Sequence, residues 1–277
     1  MDPAAHLHAL ARRIADEYVG RTAPLAVMLS GSAATGKCDA YSDLDLMVYH
    51  ALVPEKPVME AARAALGGSE FREIFPWSQR GYGEQFLLGG VQCQVAHTQV
   101  QGWERDLTRV LDECEVTPQN ELQKALAGTL DGIALHGDAL IQGWKDRAAD
   151  YPDGLARKMV KAHLKFFPLW WIHPSRVTAL WRHQVLVEGA GNLMGILAGL
   201  NKQYFSTFQP KRLVDFDWAP PDFHERVDRM FSLPHAEAAA LMEQLVFEVV
   251  LLVEARMPDL DTSEVRRRLG ERQQPWA

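Results

Sequence analysis

The sequence predicts an α+β protein, with a small mixed sheet in an N-terminal α/β unit and an all-helical C-terminal part. Three observations predict this class. Strand-like and helix-like patterns mingle before residue 100, Gly89-Gly90 separates two strand-like runs, and strand signals almost vanish from Gln101 onward. Period-two runs with turn dipeptides mark strands, and apolar spacings of three and four mark helices.

Leu7, Leu10, Ala11, Ile14 and Tyr18 recur at helical spacing, so residues 4–18 form an opening amphipathic helix, stopped by Thr22-Ala23-Pro24. Leu25 to Leu29 is a short buried strand running into Ser30-Gly31-Ser32. A small, polar segment follows to Ser42. After it Leu44, Leu46 and Val48 alternate with Asp43, Asp45 and Met47, the period of a strand with two unlike faces. Residues 58–66 are helical and end at Gly67-Gly68; residues 82–88 and 91–98 form a hairpin around Gly89-Gly90. Helical patterns then cover 102–114, 119–131, 138–149, 154–166, 176–201, 222–231 and 235–256, with prolines in the intervening loops. The junction of the two parts lies between 99 and 152, and we divide the chain at 1–115 and 116–277. No internal repeat or low-complexity segment is visible.

The 277 residues are 47% hydrophobic and 23% charged, the composition of a globular protein with a sizeable core. No apolar run approaches the ~18 residues of a membrane span, and the first twenty residues lack the apolar centre of a signal peptide. Cys38, Cys93 and Cys114 are widely spaced and odd in number, which argues against a disulfide framework or structural zinc. A cytoplasmic location and no membrane partner are expected. With 29 basic and 36 acidic residues the net charge is −7, so a long nucleic acid is a poor partner and a compact one is favoured.

Chemistry concentrates in Leu29 to Leu46. Two aspartates one residue apart on a strand share a face, about 7 Å apart along the chain, so Asp43 and Asp45 converge on one cation site. Leu44 and Leu46 anchor the other face. Two like charges side by side on an apolar strand repel unless a cation offsets them. A Gly-Ser turn after a strand lets backbone N–H groups approach phosphate, so Gly31 and Ser32 are candidate phosphate contacts, with a short helix starting there and Lys37 as a local cation. Attack on the α-phosphorus of a nucleoside triphosphate needs such an arrangement, since charge builds on phosphate oxygens while pyrophosphate leaves. The bland alternative is a Gly-Ser turn beside a half-exposed edge strand, which leaves the paired carboxylates unexplained.

A strand, Gly31-Ser32, the ten-residue spacer Ala33 to Ser42, and Asp43-Leu44-Asp45-Leu46 resemble the signature of the nucleotidyltransferase superfamily, the polymerase-beta-like fold. The resemblance covers about residues 25–98 and extends more loosely to the helical half, notably 192–211, where it is similar to bacterial antibiotic nucleotidyltransferases of the aminoglycoside and lincosamide type. It implies a catalytic domain followed by a helical substrate-binding domain. It also implies Mg2+ held by Asp43 and Asp45, ATP or another nucleoside triphosphate held near Gly31, Ser32, Lys37, Ser42 and Gln94, and transfer of a nucleoside monophosphate, most often AMP, to a small-molecule hydroxyl.

The pattern also departs from the superfamily. A third carboxylate is expected on a later strand, and Gln94 occupies that place, with neutral Gln92 on the same face. An amide brings no charge and is no general base. Thr35 stands where the family often has arginine. A two-residue turn at Gly89-Gly90 pairs Gln85 with Gln94 and puts Glu84 on the opposite face; a longer turn brings Glu84 to the site as catalytic base or metal ligand. His97 alternates with Val91, Cys93 and Val95 as a core histidine.

In the helical half, His163, His173 and His183 share no helical face, and Trp170-Trp171 with Phe166 and Phe167 are either core or a platform for a base or acceptor. Lys158, Lys161 and Lys165 form a basic stripe, either solvated or meeting triphosphate. Glu188 lies within an apolar helix and is either a partnered buried carboxylate or a cleft residue. Arg266, Arg267 and Arg268 read as a solvated or partner-contacting tail. Two further readings compete with the enzyme: a nucleotide-binding regulator of the same fold that has lost turnover, and a nucleotidyltransferase that modifies a protein in a toxin pair.

Overall fold

The computed structural model describes residues 2–117, 120–169, 177–205 and 216–271. It is an α+β protein containing a six-stranded mixed sheet and a C-terminal helical region. The chain divides into two compact units, one of residues 1–112 and 125–150, the other of 113–124 and 151–277.

The first unit begins with Pro3–Thr22 (α1), capped by the Asp2 carboxylate, which accepts from the Ala4 and Ala5 N–H groups. Ala26–Ser30 (β1), the single turn Gly31–Ala34 (α2) and Leu44–His50 (β2) follow, then Lys56–Leu66 (α3). Ser69–Ser78 (β3), Gly81–Leu88 (β4) and Val91–Gln99 (β5) form a meander, and Val100–Leu111 (α4), Glu121–Asp131 (α5), Ile133–His136 (β6) and Asp138–Ala149 (α6) complete the series. Sheet order is β3-β4-β5-β2-β1-β6; β2 and β5 are parallel and all other neighbours antiparallel.

One sheet face is apolar because the alternation of β1, β2, β4 and β5 puts Val27, Leu29, Leu44, Leu46, Phe86 and Val95 on the same side. It packs on Leu7, Leu10, Ile14 and Tyr18 of α1 and Ala62 and Leu66 of α3. On the other face Tyr49 packs against Trp103 of α4 and Trp144 of α6. The hydroxyl of Ser30 donates to the Gly128 carbonyl of α5 at 3.4 Å.

Three elements are absent from the sequence reading. β3 is exposed along almost its whole length, so it lacks period-two burial, and as an edge strand it tolerates Pro76. β6 is only four residues long, and Ser263–Gly270 (numbered below) is a short polar helix. Because α6, β6 and the second half of α5 belong with the sheet, the first unit takes in residues 125–150, which a division at 115/116 assigns to the helical half.

The second unit contains Asp153–His163 (α7), Ala179–Leu200 (α8), Phe223–Met230 (α9), His235–Arg256 (α10) and Ser263–Gly270 (α11). Helix α7 stops three residues short of the expected 166, its Leu164 cap having non-helical dihedrals. Helix α8 starts after Thr178, whose side chain accepts from the Trp181 N–H, so Val177 lies before it. Its core joins Val185, Leu193, Ile196 and Leu197 of α8 to Leu245, Val249 and Val253 of α10. Among the described residues no helix is long and apolar enough to cross a membrane.

Candidate nucleotide and metal site

The site is built at one end of the β1–β2 pair. Antiparallel register sets Ser30 opposite Asp45, and parallel register sets Asp45 beside Gln94, which is in turn opposite Gln85 on β4. Paired residues share a sheet face. Asp45, Gln94 and Gln85 are therefore on the same side, and Asp43, two residues before Asp45, belongs to that side too. All four side chains are half-buried.

Gly31 closes the floor. Its φ of +68° is left-handed, and a Cβ there would run into the Asp45 Oδ2 carboxylate oxygen. Both conditions call for glycine. Ser32, the next residue of the same turn, is half-buried. From α1, a ring nitrogen of His8 meets the Ala33 carbonyl at 2.8 Å and holds the turn against the first helix. His8 was invisible as a site neighbour because it is 25 residues away in sequence.

Asp43 has a defined partner: Gln94 Nε2 donates to its Oδ2 at 3.0 Å. The loop before it is shaped by Asp39, whose N–H donates to Ser42 Oγ at 2.9 Å while Ser42 donates to Asp39 Oδ1 at 3.2 Å. Ser42 thus sets the approach to Asp43, and its hydroxyl is engaged in that turn. Lys37 lies on the exposed loop after α2, its N–H donating to the Ser32 carbonyl at 3.1 Å.

Glu84 is a correction. The tight Gly89-Gly90 turn holds Gln85 opposite Gln94, so Glu84 pairs with Val95 and faces α1 and α3, away from Asp43 and Asp45. It is fully buried and accepts from the Tyr18 hydroxyl, the Arg63 guanidinium and His97 Nε2, the last at 3.1 Å. His97 Nδ1 in turn meets His50 Nε2 at 3.1 Å, so His97 is a satisfied core histidine. Burial first, then the neighbouring His97, pushes the His50 pKa down to about 3. Burial and the Glu84 charge hold the Tyr18 hydroxyl well above its ordinary range. The network ties β4 and β5 to α1 and α3.

The other candidates lie in the second unit. Glu188 is exposed and accepts from Gln184 at 3.0 Å, because it falls on the outer side of α8. Lys158, Lys161 and Lys165 are exposed, Lys158 donating to the Glu113 carbonyl at 2.8 Å. His183 is exposed, whereas His163 is buried, meeting Asn192 Oδ1 through Nδ1 at 3.0 Å and Asn120 Nδ2 through Nε2 at 3.3 Å. Burial depresses its pKa. Phe166 belongs to the core, while Trp170, Trp171 and His173 lie outside the described residues, as do positions 206–211 of the 192–211 resemblance. Arg266 pairs with Glu254, and Arg267 and Arg268 pair with Glu264, so this basic run serves α10 and α11.

Among the described residues no group of three or more His, Cys, Asp or Glu side chains is arranged to hold a metal. Two carboxylates on one face, beside the Gly31 turn, are donors of the kind that magnesium takes. That ion binds through one or two carboxylates and substrate phosphates while keeping several waters. A zinc-like set of dense protein ligands does not fit here.

No family profile and no curated protein matches the chain. Among solved structures it is similar to a nucleotidyltransferase-like protein from Exiguobacterium sibiricum 255-15, with 12% identity and a TM-score of 0.40 over 96% of this chain and 80% of that one.

Proposed function

We propose that this protein is a metal-dependent nucleotidyltransferase that moves a nucleoside monophosphate, AMP by preference, from a nucleoside triphosphate to a hydroxyl of a small molecule. The observation that carries the reading is the convergence of Asp43 and Asp45 on one sheet face with the Asp45 carboxylate seated on the left-handed Gly31 turn. Asp43 and Asp45 would hold the ion. When bound, magnesium supplies positive charge that offsets the charge developing on the phosphate oxygens. Gly31 and Ser32 would offer backbone N–H groups and a hydroxyl to the triphosphate, which must lie near Asp43 and Asp45 if it is to share their ion. Lys37, on the adjoining loop, would add charge for the leaving pyrophosphate. Ser42 acts indirectly, through the turn that delivers Asp43.

The net charge of −7 speaks for a compact acceptor over a nucleic-acid polymer. A second reading rests on Gln94, which supplies no base: the protein is then a nucleotide-binding regulator of the same fold. Thermal shift with ATP, GTP, CTP and UTP, each with and without Mg2+, tests both. Metal-dependent stabilisation by at least one nucleotide is expected; its absence for all four overturns the enzyme reading, and the absence of any stabilisation overturns the regulator as well. Pyrophosphate release on adding aminoglycosides, lincosamides or other polyols separates enzyme from regulator.

A further inference from the structure

We propose that Gln94 is a positioning residue that limits this site to a single divalent cation, an inference that rests on the metal–nucleotide reading above. Gln94 stands beside Asp45 in the parallel β2–β5 ladder and donates from Nε2 to Asp43 Oδ2 at 3.0 Å. The donor edge of its amide is therefore turned towards the carboxylate oxygen, and a cation cannot approach Asp43 from that edge. Its neighbours on the same face, Gln92 and Gln85, are also neutral.

Charge decides the count. Asp43 and Asp45 together carry two negative charges, which one divalent ion offsets. Phosphate oxygens fill out the shell of that ion; a second ion held by the protein would need a further carboxylate on this face, and the position beside Asp45 in the β2–β5 ladder holds an amide. Glu84, the nearest carboxylate by sequence on β4, is committed to Arg63, Tyr18 and His97 on the opposite face. Gln94 thus aims Asp43 at the one ion through a charge-assisted hydrogen bond.

The test counts Mn2+, a paramagnetic stand-in for Mg2+, on the full chain by electron paramagnetic resonance, alone and with the α,β-methylene analogue of ATP. Wild type should hold one Mn2+ per chain with no spin-coupled pair. Gln94→Glu should gain a second ion and a coupled signal, which a merely structural change would not create. Gln94→Ala should keep one ion at about tenfold lower affinity, as expected when a group orienting a ligand is removed. A coupled pair in wild type overturns this inference and leaves the nucleotidyltransferase reading standing. Wild-type chain that holds no Mn2+ in either condition overturns both. Unchanged affinity in Gln94→Ala, or one ion only in Gln94→Glu, overturns the role given to the amide.

Discussion

Gly31 is held by two independent constraints, its φ of +68° and the Asp45 carboxylate lying against its α-carbon. Gly31→Ala should therefore cost about 1–2 kcal/mol from the backbone alone, and the displaced Asp45 should weaken metal-dependent nucleotide binding beyond that. Urea denaturation reads the first effect and calorimetry with Mg2+ and ATP the second. Asp45→Asn keeps the shape and removes the charge. For wild type at a ligand concentration about 100 times Kd, binding adds roughly 2.7 kcal/mol of stability, and Asp45→Asn should lose most of that gain in thermal shift. An unchanged shift would sink the role assigned to Asp45. That Asp43 and Asp45 share a sheet face was legible in sequence, because strand periodicity alone puts them there. The place of His8 was not, since only the packing of α1 brings it to the turn.

At the scale of elements, Glu84 binds β4 to α1, α3 and β5 through Tyr18, Arg63 and His97. Removing one partner of a buried ion pair leaves the other charge uncompensated, so Glu84→Ala should destabilise by about 3–5 kcal/mol. Urea midpoints with the slope held equal measure this, and a loss under about 1 kcal/mol would contradict the network's structural role. His50, at the end of the same relay, has its folded pKa lowered to about 3 against about 6.5 unfolded. The unfolded chain therefore binds the proton first. The contribution of neutral His50 is complete above pH 6.5 and is lost as pH falls from there towards 3, about 2 kcal/mol of it by pH 5. His163, also depressed by burial, acts in the same direction. His50→Gln should accordingly show a smaller drop in unfolding free energy between pH 7 and pH 5 than wild type, and equal drops would exclude this account. The Gln85–Gln94 register was open to sequence reasoning through the Gly89-Gly90 turn. The identity of Glu84's partners was not, because Tyr18 and Arg63 are 66 and 21 residues away.

For the whole molecule, the discontinuous first unit makes a sharp prediction about fragments. A fragment of residues 1–115 lacks β6, which pairs with β1, and Trp144 of α6, which packs on Tyr49. It should fail to unfold cooperatively in urea, whereas a fragment of residues 1–150 should keep a cooperative transition and the far-ultraviolet signal of the sheet. A cooperative 1–115 fragment would show that 125–150 is not needed by the first unit. By itself the sequence determined the α+β class, the hairpin, most of the helices and the two-aspartate turn, since each depends on spacing within one short stretch and on the dihedral demands of a few glycines. Only the tertiary structure decided which unit owns residues 125–150, which side of the sheet takes Glu84, and that Gln94 binds Asp43. Those outcomes depend on which strands become neighbours and which helices cover each face, and such contacts between distant segments leave no periodic trace in the chain.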